Sequence, residues 1–338
     1  MKEESLRYAA TAAATMDQRI LEIFRATHGG VVSGEDLSNA LHVSRTAVWK
    51  HIKSLRELGY KIEAVPSVGY RLLAVPDLLL PGEIAADLGT ERIGRQIVTF
   101  READSTNEIA FKMAEEGAPE GTVVLAEAQR RGKGRLGRRW ESPAGVNLYC
   151  SIILRPPIMP MQAVQLTFLS VVAVVRAVAE ITMLTPTIKW PNDVLVGGRK
   201  VAGLLNEMGA ETEKVNFVIL GIGVNINMVR DQFPADLRHP ATSLRLEAGR
   251  PVNRVDFTRA LLKATDTLYD AYLAGDYAAI RDEWLARCSI IGKRVLVSSQ
   301  ENTIAGVASG IDDYGALLLT RDDGRVERIL AGDVALVP

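Results

Sequence analysis

Between Gln129 and Trp140 the chain reads QRRGKGRLGRRW, with three glycines (Gly132, Gly134, Gly137) and six cations (Arg130, Arg131, Lys133, Arg135, Arg138, Arg139). No acidic residue lies inside the stretch. Glycine lets a backbone come close to a ligand, and Lys and Arg neutralise phosphate oxygens, so the loop is expected to order around a polyanion. Further on, Lys189 enters the segment KWPNDV, which holds Asn192 and Asp193, and Lys200 follows a Gly197-Gly198 turn. Upstream, Ser105 and Thr106 fall at a helix start, and Gln129 sits just past a strand. Taken singly, the loop also fits a solvated basic tract or nonspecific RNA binding, and the other residues fit polar groups at turns. The combination suits activation of a carboxylate by ATP. A carboxylate and a triphosphate repel, so their approach requires fixed positive charge. In-line attack on the α-phosphorus then adds negative charge to its oxygens, which Lys, Arg and a metal stabilise. Asp193 is the candidate magnesium ligand, because magnesium usually keeps one or two protein carboxylates.

Two commoner nucleotide patterns are excluded. Gly134 follows Gly132-Lys133 where a P-loop requires Ser or Thr. The segment GIGVNIN, from Gly221, lacks the third glycine and the amphipathic helix of a dinucleotide site. The elements that position the candidates read as strands Ile97 to Phe100, Val123 to Ala126, Leu148 to Leu154, Thr187 to Lys189, Lys200 to Leu205 and Phe217 to Leu220, with helices between them. That pattern predicts a mixed sheet with packed helices, in an α+β fold.

A different chemistry is written near the N-terminus. Asp17 is the expected cap of a first helix, with Ile20, Ile23, Phe24 and Thr27 on one face. A short helix from Ser33 to Leu41, a tight turn and a third helix from Arg45 to Leu58 capped by Ser44 follow. Val48, Ile52 and Leu55 make its apolar stripe; Arg45, Trp49, Lys53 and Arg56 lie off it, flanked by Thr46 and Lys50. A helix with one buried and one basic face after a turn matches a helix-turn-helix, and strands Lys61 to Val65 and Tyr70 to Leu73 supply a wing. A small protein-interaction domain is the bland alternative, against which an exposed Trp49 argues. Residues 16–73 carry eight Lys/Arg against six Asp/Glu, a net of +2. So weak a charge favours dimers on two half-sites.

The whole chain of 338 residues has a net charge of −1, so nucleic-acid binding must come from a local patch. Cys150 and Cys288 are the only cysteines, and no His or Cys stands near them at metal-ligand spacing, which fits a reducing cytoplasm. The apolar stretch Met161 to Met183 is broken by Gln162, Gln165, Arg176 and Glu180 and reads as a buried helix; no membrane association is expected. Residues 1–15 read as a disordered lead-in, with Met16 an alternative start. After it, 16–74 is a winged helix-turn-helix, 75–81 a linker, 82–287 a catalytic domain and 288–338 a small β domain. In the last, short strands and the Asp322-Asp323-Gly324-Arg325 hairpin suit an SH3-like barrel.

The chain resembles the bifunctional biotin–protein ligase and biotin-operon repressor family over nearly its whole length after about Asp17. The resemblance is carried by SRTAVWKHIKSLRELGY, VPSVGYRL, DSTN, QRRGKGRLGRRW, NLYCSIILRP, KWPNDV, GRKVAGLL and GIGVNIN, in that order. It implies that biotin and ATP give biotinyl-5′-adenylate, whose biotinyl group passes to a lysine of a carrier protein such as the acetyl-CoA carboxylase subunit. By the same resemblance Ser105, Thr106, Asn107, Gln129, Lys133, Gly134, Arg135 and Lys200 line the biotin pocket, with Lys200, Arg135 and Lys133 catalytic. Arg138, Trp140, Lys189, Asn192 and Asn225 serve the adenylate, and Asp193 a magnesium ion. Ser44, Arg45, Thr46, Trp49, Lys50 and Lys53 would meet operator DNA, and the adenylate-bound form would dimerise and repress biotin genes. Two departures stand out: Lys133 replaces the first Arg of the commoner loop, losing its planar fork, and Arg131 replaces a small residue. The rival readings are a lipoate ligase or lipoyl/octanoyl transferase, against which the winged module argues, and a ligand-sensing transcription factor without catalysis, which would not require Lys200, Asp193 and Arg135.

Overall fold

The computed structural model describes residues 7–10, 15–235, 237, 240–298 and 303–337. The chain divides into Thr11–Leu78 and a larger unit of Met1–Ala10 with Leu79–Pro338. Arg7–Ala10 forms an edge strand (β1), which corrects the reading of residues 1–15 as wholly disordered. The free edge of a sheet strand in the larger unit supplies backbone partners that no local sequence signal announces. The rest of that lead-in, apart from Thr15, lies outside the described residues.

In the smaller unit, α1 (Met16–Ala26), α2 (Gly34–Leu41) and α3 (Arg45–Glu57) bury Ile20, Phe24, Leu37, Leu41, Val48, Ile52 and Leu55 together. The cap of α1 is Thr15, reciprocated by Gln18 in a capping box. Asp17, the expected cap, instead accepts from or pairs with His51 Nδ1 at 2.7 Å. The turn between α2 and α3 is made by His42 in the left-handed region (φ 55°), and Ser44 caps α3. The wing is a hairpin of β2 (Lys61–Val65) and β3 (Gly69–Ala74), bridged through Tyr70 to Val32.

The larger unit is built on β4 (Ile97–Phe100), β5 (Val123–Ala126), β6 (Leu148–Leu154), β7 (Thr187–Lys189), β8 (Asp193–Val196), β9 (Arg199–Ala210) and β10 (Val215–Val224). With β1 they form one sheet in the order β1-β4-β5-β6-β10-β9-β8-β7, in which only β4 and β5 run parallel. The sheet is thus mixed, as the strand pattern predicts. Its helices are α4 (Pro81–Ala85), α5 (Thr106–Glu115), α6 (Ala163–Thr182), α7 (Leu244–Ala248), α8 (Arg254–Leu273) and α9 (Tyr277–Arg287). α5 covers one face, over Val98, Val124, Ile153, Phe217 and Ile219. α6 and α8 cover the other, over Leu125, Cys150, Ile152, Leu154, Val218 and Leu220. Burial on both faces is why β6 reads as an almost unbroken apolar run. The segment Pro160–Thr182 is long and apolar enough to cross a membrane by length and composition, yet most of it is buried within the unit.

The C-terminal strands β11 (Arg294–Ser298), β12 (Thr303–Ile311), β13 (Leu317–Thr320), β14 (Val326–Ile329) and β15 (Asp333–Leu336) form an antiparallel sheet in the order β14-β13-β12-β11-β15. No β14–β15 ladder closes it among the described residues. Val295, Val297, Leu317, Leu319 and Val334 belong to the same core as α6, so this segment has no separate core of its own.

A buried ion pair pins the approach to the basic loop. Arg254, wholly buried at the start of α8, donates to Glu127 Oε2 at 2.7 Å, and Glu127 Oε1 accepts the Leu79 N–H at 2.8 Å. Removing one partner of such a pair strands a charge in the interior. Glu127→Ala is therefore expected to destabilise folding by about 3–5 kcal/mol, and Glu127→Leu with Arg254→Met to recover most of the loss. Urea unfolding measures both, and a Glu127→Ala protein as stable as the parent contradicts the assignment.

Candidate active site

Five segments converge on one cleft: the start of α5, the Gln129–Trp140 loop, the KWPND turn, facing stretches of β9 and β10, and the start of β15. Ser105, Thr106, Asn107, Gln129, Lys133, Gly134, Arg135, Arg138, Trp140, Lys189, Asn192, Asp193 and Lys200 all line it. Asn225 does not. It sits just past β10 with its side-chain amide on the Thr242 carbonyl at 3.2 Å and its N–H on the Val201 carbonyl. The side-chain amide thus helps to hold the segment after residue 240, through Thr242.

The loop is a small hairpin. Gly134 N–H meets the Arg138 carbonyl at 2.7 Å, and Trp140 N–H meets that of Gly132 at 2.8 Å. The acids missing from its sequence arrive from elsewhere. Arg130 and Arg131 both hold Asp104, at 2.7 and 2.5 Å, and their hydrogen bonds, Arg130's first, keep that carboxyl below the ordinary carboxylate range. This gives Arg131 a role that the motif left unexplained. Lys133 pairs with Glu108 on the first turn of α5 at 2.8 Å, a contact that needs a point charge and no planar fork. Arg138 pairs with Asp333 of β15, and Arg139 lies 3.3 Å from Glu141.

The cations that face the cleft are less well compensated. Arg135 Nη1 donates to Asn192 Oδ1 at 3.0 Å, and burial pushes its pKa below the usual arginine value, with Asp193 opposing the shift. Burial likewise lowers Lys189, again against the pull of Asp193. Lys200 reaches Asp193 Oδ1 at 2.6 Å, with its ammonium 5.4 Å from the centre of the Trp140 ring. Three half-buried cations around one carboxylate make a strong attraction for an anionic ligand.

Opposite them, Thr106 N–H donates to Gln129 Oε1 at 2.8 Å, and Gln129 Nε2 donates to Ser142 Oγ at 3.1 Å. The GIG and VAG segments owe their glycines to neighbours. Gly203 and Gly223 are paired across β9 and β10, and a Cβ at Gly223 would stand 2.7 Å from the Trp140 ring, one at Gly203 2.9 Å. They make a flat floor on which the indole lies. Residues that the sequence reading missed are Asp333 and Trp190. Asp333 stands 195 positions from Arg138, with no local signal of its charge partner. Trp190 is buried, donating to the Gly315 carbonyl at 3.1 Å.

On the smaller unit, Arg45, Thr46, Trp49, Lys50 and Lys53 are all exposed on α3, with Trp49 at 52%. Arg56 departs from the basic face: its guanidinium grips the Ile62 carbonyl of β2 at 2.9 and 2.7 Å. Arg45 pairs with Glu35 at 2.5 Å.

Comparison with known proteins agrees with this arrangement. Residues 99–225 match the biotin/lipoate A/B protein ligase family, 17–71 an HTH domain and 290–337 the biotin protein ligase C-terminal domain. The chain is 39% identical over 322 residues to the bifunctional ligase/repressor BirA of Bacillus subtilis, covering 95% of this chain and 99% of that protein. It is 36% identical over 225 residues to the biotin–[acetyl-CoA-carboxylase] ligase of Paracoccus denitrificans, covering 66% of this chain and 93% of that one. Among solved structures it is similar to the biotin protein ligase of Aquifex aeolicus in complex with biotin and ATP. The TM-score is 0.61 and the identity 28%, over 71% of this chain and 98% of that chain. The fold and cleft are those of an ATP-dependent biotin–protein ligase carrying a helix-turn-helix. The chain belongs to the bifunctional ligase/repressor family.

Gly223→Ala is expected to lift Trp140 from its floor and loosen the hairpin. Trypsin, which cuts after Arg135, Arg138 and Arg139, should then cleave the loop several-fold faster, and an unchanged cleavage rate would refute the packing role.

Proposed function

We propose that the cleft joins biotin to ATP and then hands the biotinyl group to a lysine of a biotin-carrier protein, such as the acetyl-CoA carboxylase subunit. The observation that carries this reading is the convergence of Arg135, Lys189 and Lys200, half-buried, on one cleft beside Asp193. A carboxylate oxygen of biotin attacks the α-phosphorus, forming the acyl–phosphate bond as pyrophosphate leaves. Lys200 stands where its ammonium neutralises both the carboxylate and the phosphate, with Arg135 beside it. Ser105, Thr106 and Gln129 bind the biotin end, and Trp140, Lys189, Arg138 and Asn192 the adenylate end. In the second step an acceptor amine attacks the acyl carbon, the amide forms, AMP leaves and the amine gives up a proton. The loop excludes water, which otherwise hydrolyses the mixed anhydride.

Magnesium fits this donor set as a companion of the triphosphate. No cluster of three or more His, Cys, Asp or Glu exists among the described residues, and magnesium bound with phosphates needs only one or two carboxylates. Asp193 would hold it, and the ion would neutralise charge on the departing pyrophosphate. The C-terminal sheet is taken as an SH3-like module of the ligase, supported by its five short antiparallel strands. The smaller unit represses biotin genes by inserting α3 into operator DNA as an adenylate-bound homodimer, a reading that the weak net charge of the module supports. A cytoplasmic location accords with two free cysteines.

Incubating the protein with labelled biotin, MgATP and a biotin-carrier domain should place label on the acceptor lysine. Label transfer from lipoate with none from biotin would reassign the substrate. For DNA, Lys50→Ala with Lys53→Ala removes two phosphate partners, so the slope of log K against log salt should become shallower by about two. A slope equal to the parent's would remove both lysines from the interface.

A further inference from the structure

From Thr106 a chain of buried hydrogen bonds runs through Ser151 and Asn107 to Glu207, and none of the steps above employs those three residues. Thr106 is 4% exposed, Asn107 5% and Ser151 0%. Asn107 Nδ2 donates to the Leu205 carbonyl at 3.0 Å and to Glu207 Oε2 at 2.8 Å. A carbonyl and a carboxylate only accept, so the Asn107 amide has a single orientation, with Oδ1 turned toward Ser151 Oγ at 2.6 Å. Gly221 makes the space for it, because a Cβ there would stand 2.2 Å from Asn107 Oδ1.

Ser151 Oγ also lies 2.8 Å from Thr106 Oγ1, and its one proton serves only one of the two oxygens. Given to Thr106, it would leave lone pairs of Ser151 and Asn107 facing each other at 2.6 Å. The proton therefore belongs to Asn107. Ser151 Oγ is then an acceptor toward Thr106, as is Gln129 Oε1 at 3.2 Å. Either bond takes up the Thr106 proton, and what Thr106 then shows a ligand is a lone pair.

We propose that Glu207, Asn107 and Ser151 are positioning residues that fix Thr106 Oγ1 as an acceptor, so that the site selects a ring presenting an N–H there, as a cyclic urea does. This rests on the biotin reading above and specifies how the biotin end is told from an isostere. A site built to receive an N–H rejects an oxygen in its place, since two acceptors then meet in a buried position.

The test is equilibrium binding of biotin and of the two cyclic carbamates in which one ureido N–H is replaced by oxygen. The unmodified protein should prefer biotin over one of the two by roughly tenfold or more. Equal binding of all three ligands overturns the proposal without the need for any variant. Ser151→Ala removes the nearer of the two acceptors that hold the Thr106 proton and should shrink the preference several-fold. Glu207→Gln keeps an oxygen for the Asn107 amide and should retain the preference, whereas Glu207→Leu, which leaves the Leu205 carbonyl as the acceptor on that side, should reduce it. If the variants weaken biotin and carbamate in parallel, the residues are only structural and the proposal fails. Failure of the unmodified protein to bind biotin at all is a distinct result, and overturns the biotin reading together with this one.

Discussion

Holding three cations in one half-buried cleft is the demand that shapes this molecule. Arg135, Lys189 and Lys200 repel one another, and burial strips water from the first two enough to lower their proton affinity. The cost is tolerated because Asp193 and Asn192, two residues of one turn, take up Lys200 and Arg135 at 2.6 and 3.0 Å. An anionic ligand relieves what remains, and a charge developing on phosphate oxygens relieves it further. The remaining loop cations are each matched by an acid: Arg130 and Arg131 by Asp104, Lys133 by Glu108, Arg138 by Asp333 and Arg139 by Glu141. The basic tract is thus divided into a paired rim and a reactive interior.

The sheet supplies the rigidity that such a cluster requires. β8 and β9 carry Asp193 and Lys200 on hydrogen-bonded neighbours. The Gly203–Gly223 pair lets Trp140 lie flat beside Lys200, so the loop closes on backbone and not on mobile side chains. At its near end the loop follows Glu127, fixed by Arg254 in the core. At its far side it meets β15 through Arg138 and Asp333, and β15 shares the core of the larger unit. The C-terminal strands therefore help to build the cleft.

What could be read in the residues was mostly what is local. The strands around the cleft, the buried helix α6, the α2–α3 turn and the wing all follow from periodicity and turn chemistry. The motif residues Lys200, Arg135 and Asp193 were legible because their types have few other uses together. Partner choice was not legible. Asp17 looks like a cap, yet the capping box at Thr15 and Gln18 satisfies the helix start and leaves Asp17 for His51. Arg56 lies off the apolar stripe with the other cations of α3, yet the Ile62 carbonyl captures it. Asn225 shares a motif with the site but turns to Thr242. The pairing of β1 with β4 depends on a sheet edge assembled from distant sequence.

The account turns on an acyl-adenylate formed among those cations, and isotope transfer tests it most directly. Biotin carrying 18O in both carboxylate oxygens is incubated with ATP, magnesium and a carrier domain until the acceptor lysine is biotinylated. Attack on the α-phosphorus predicts AMP with one 18O atom and unlabelled pyrophosphate. ADP with labelled inorganic phosphate, or AMP without label, would contradict it.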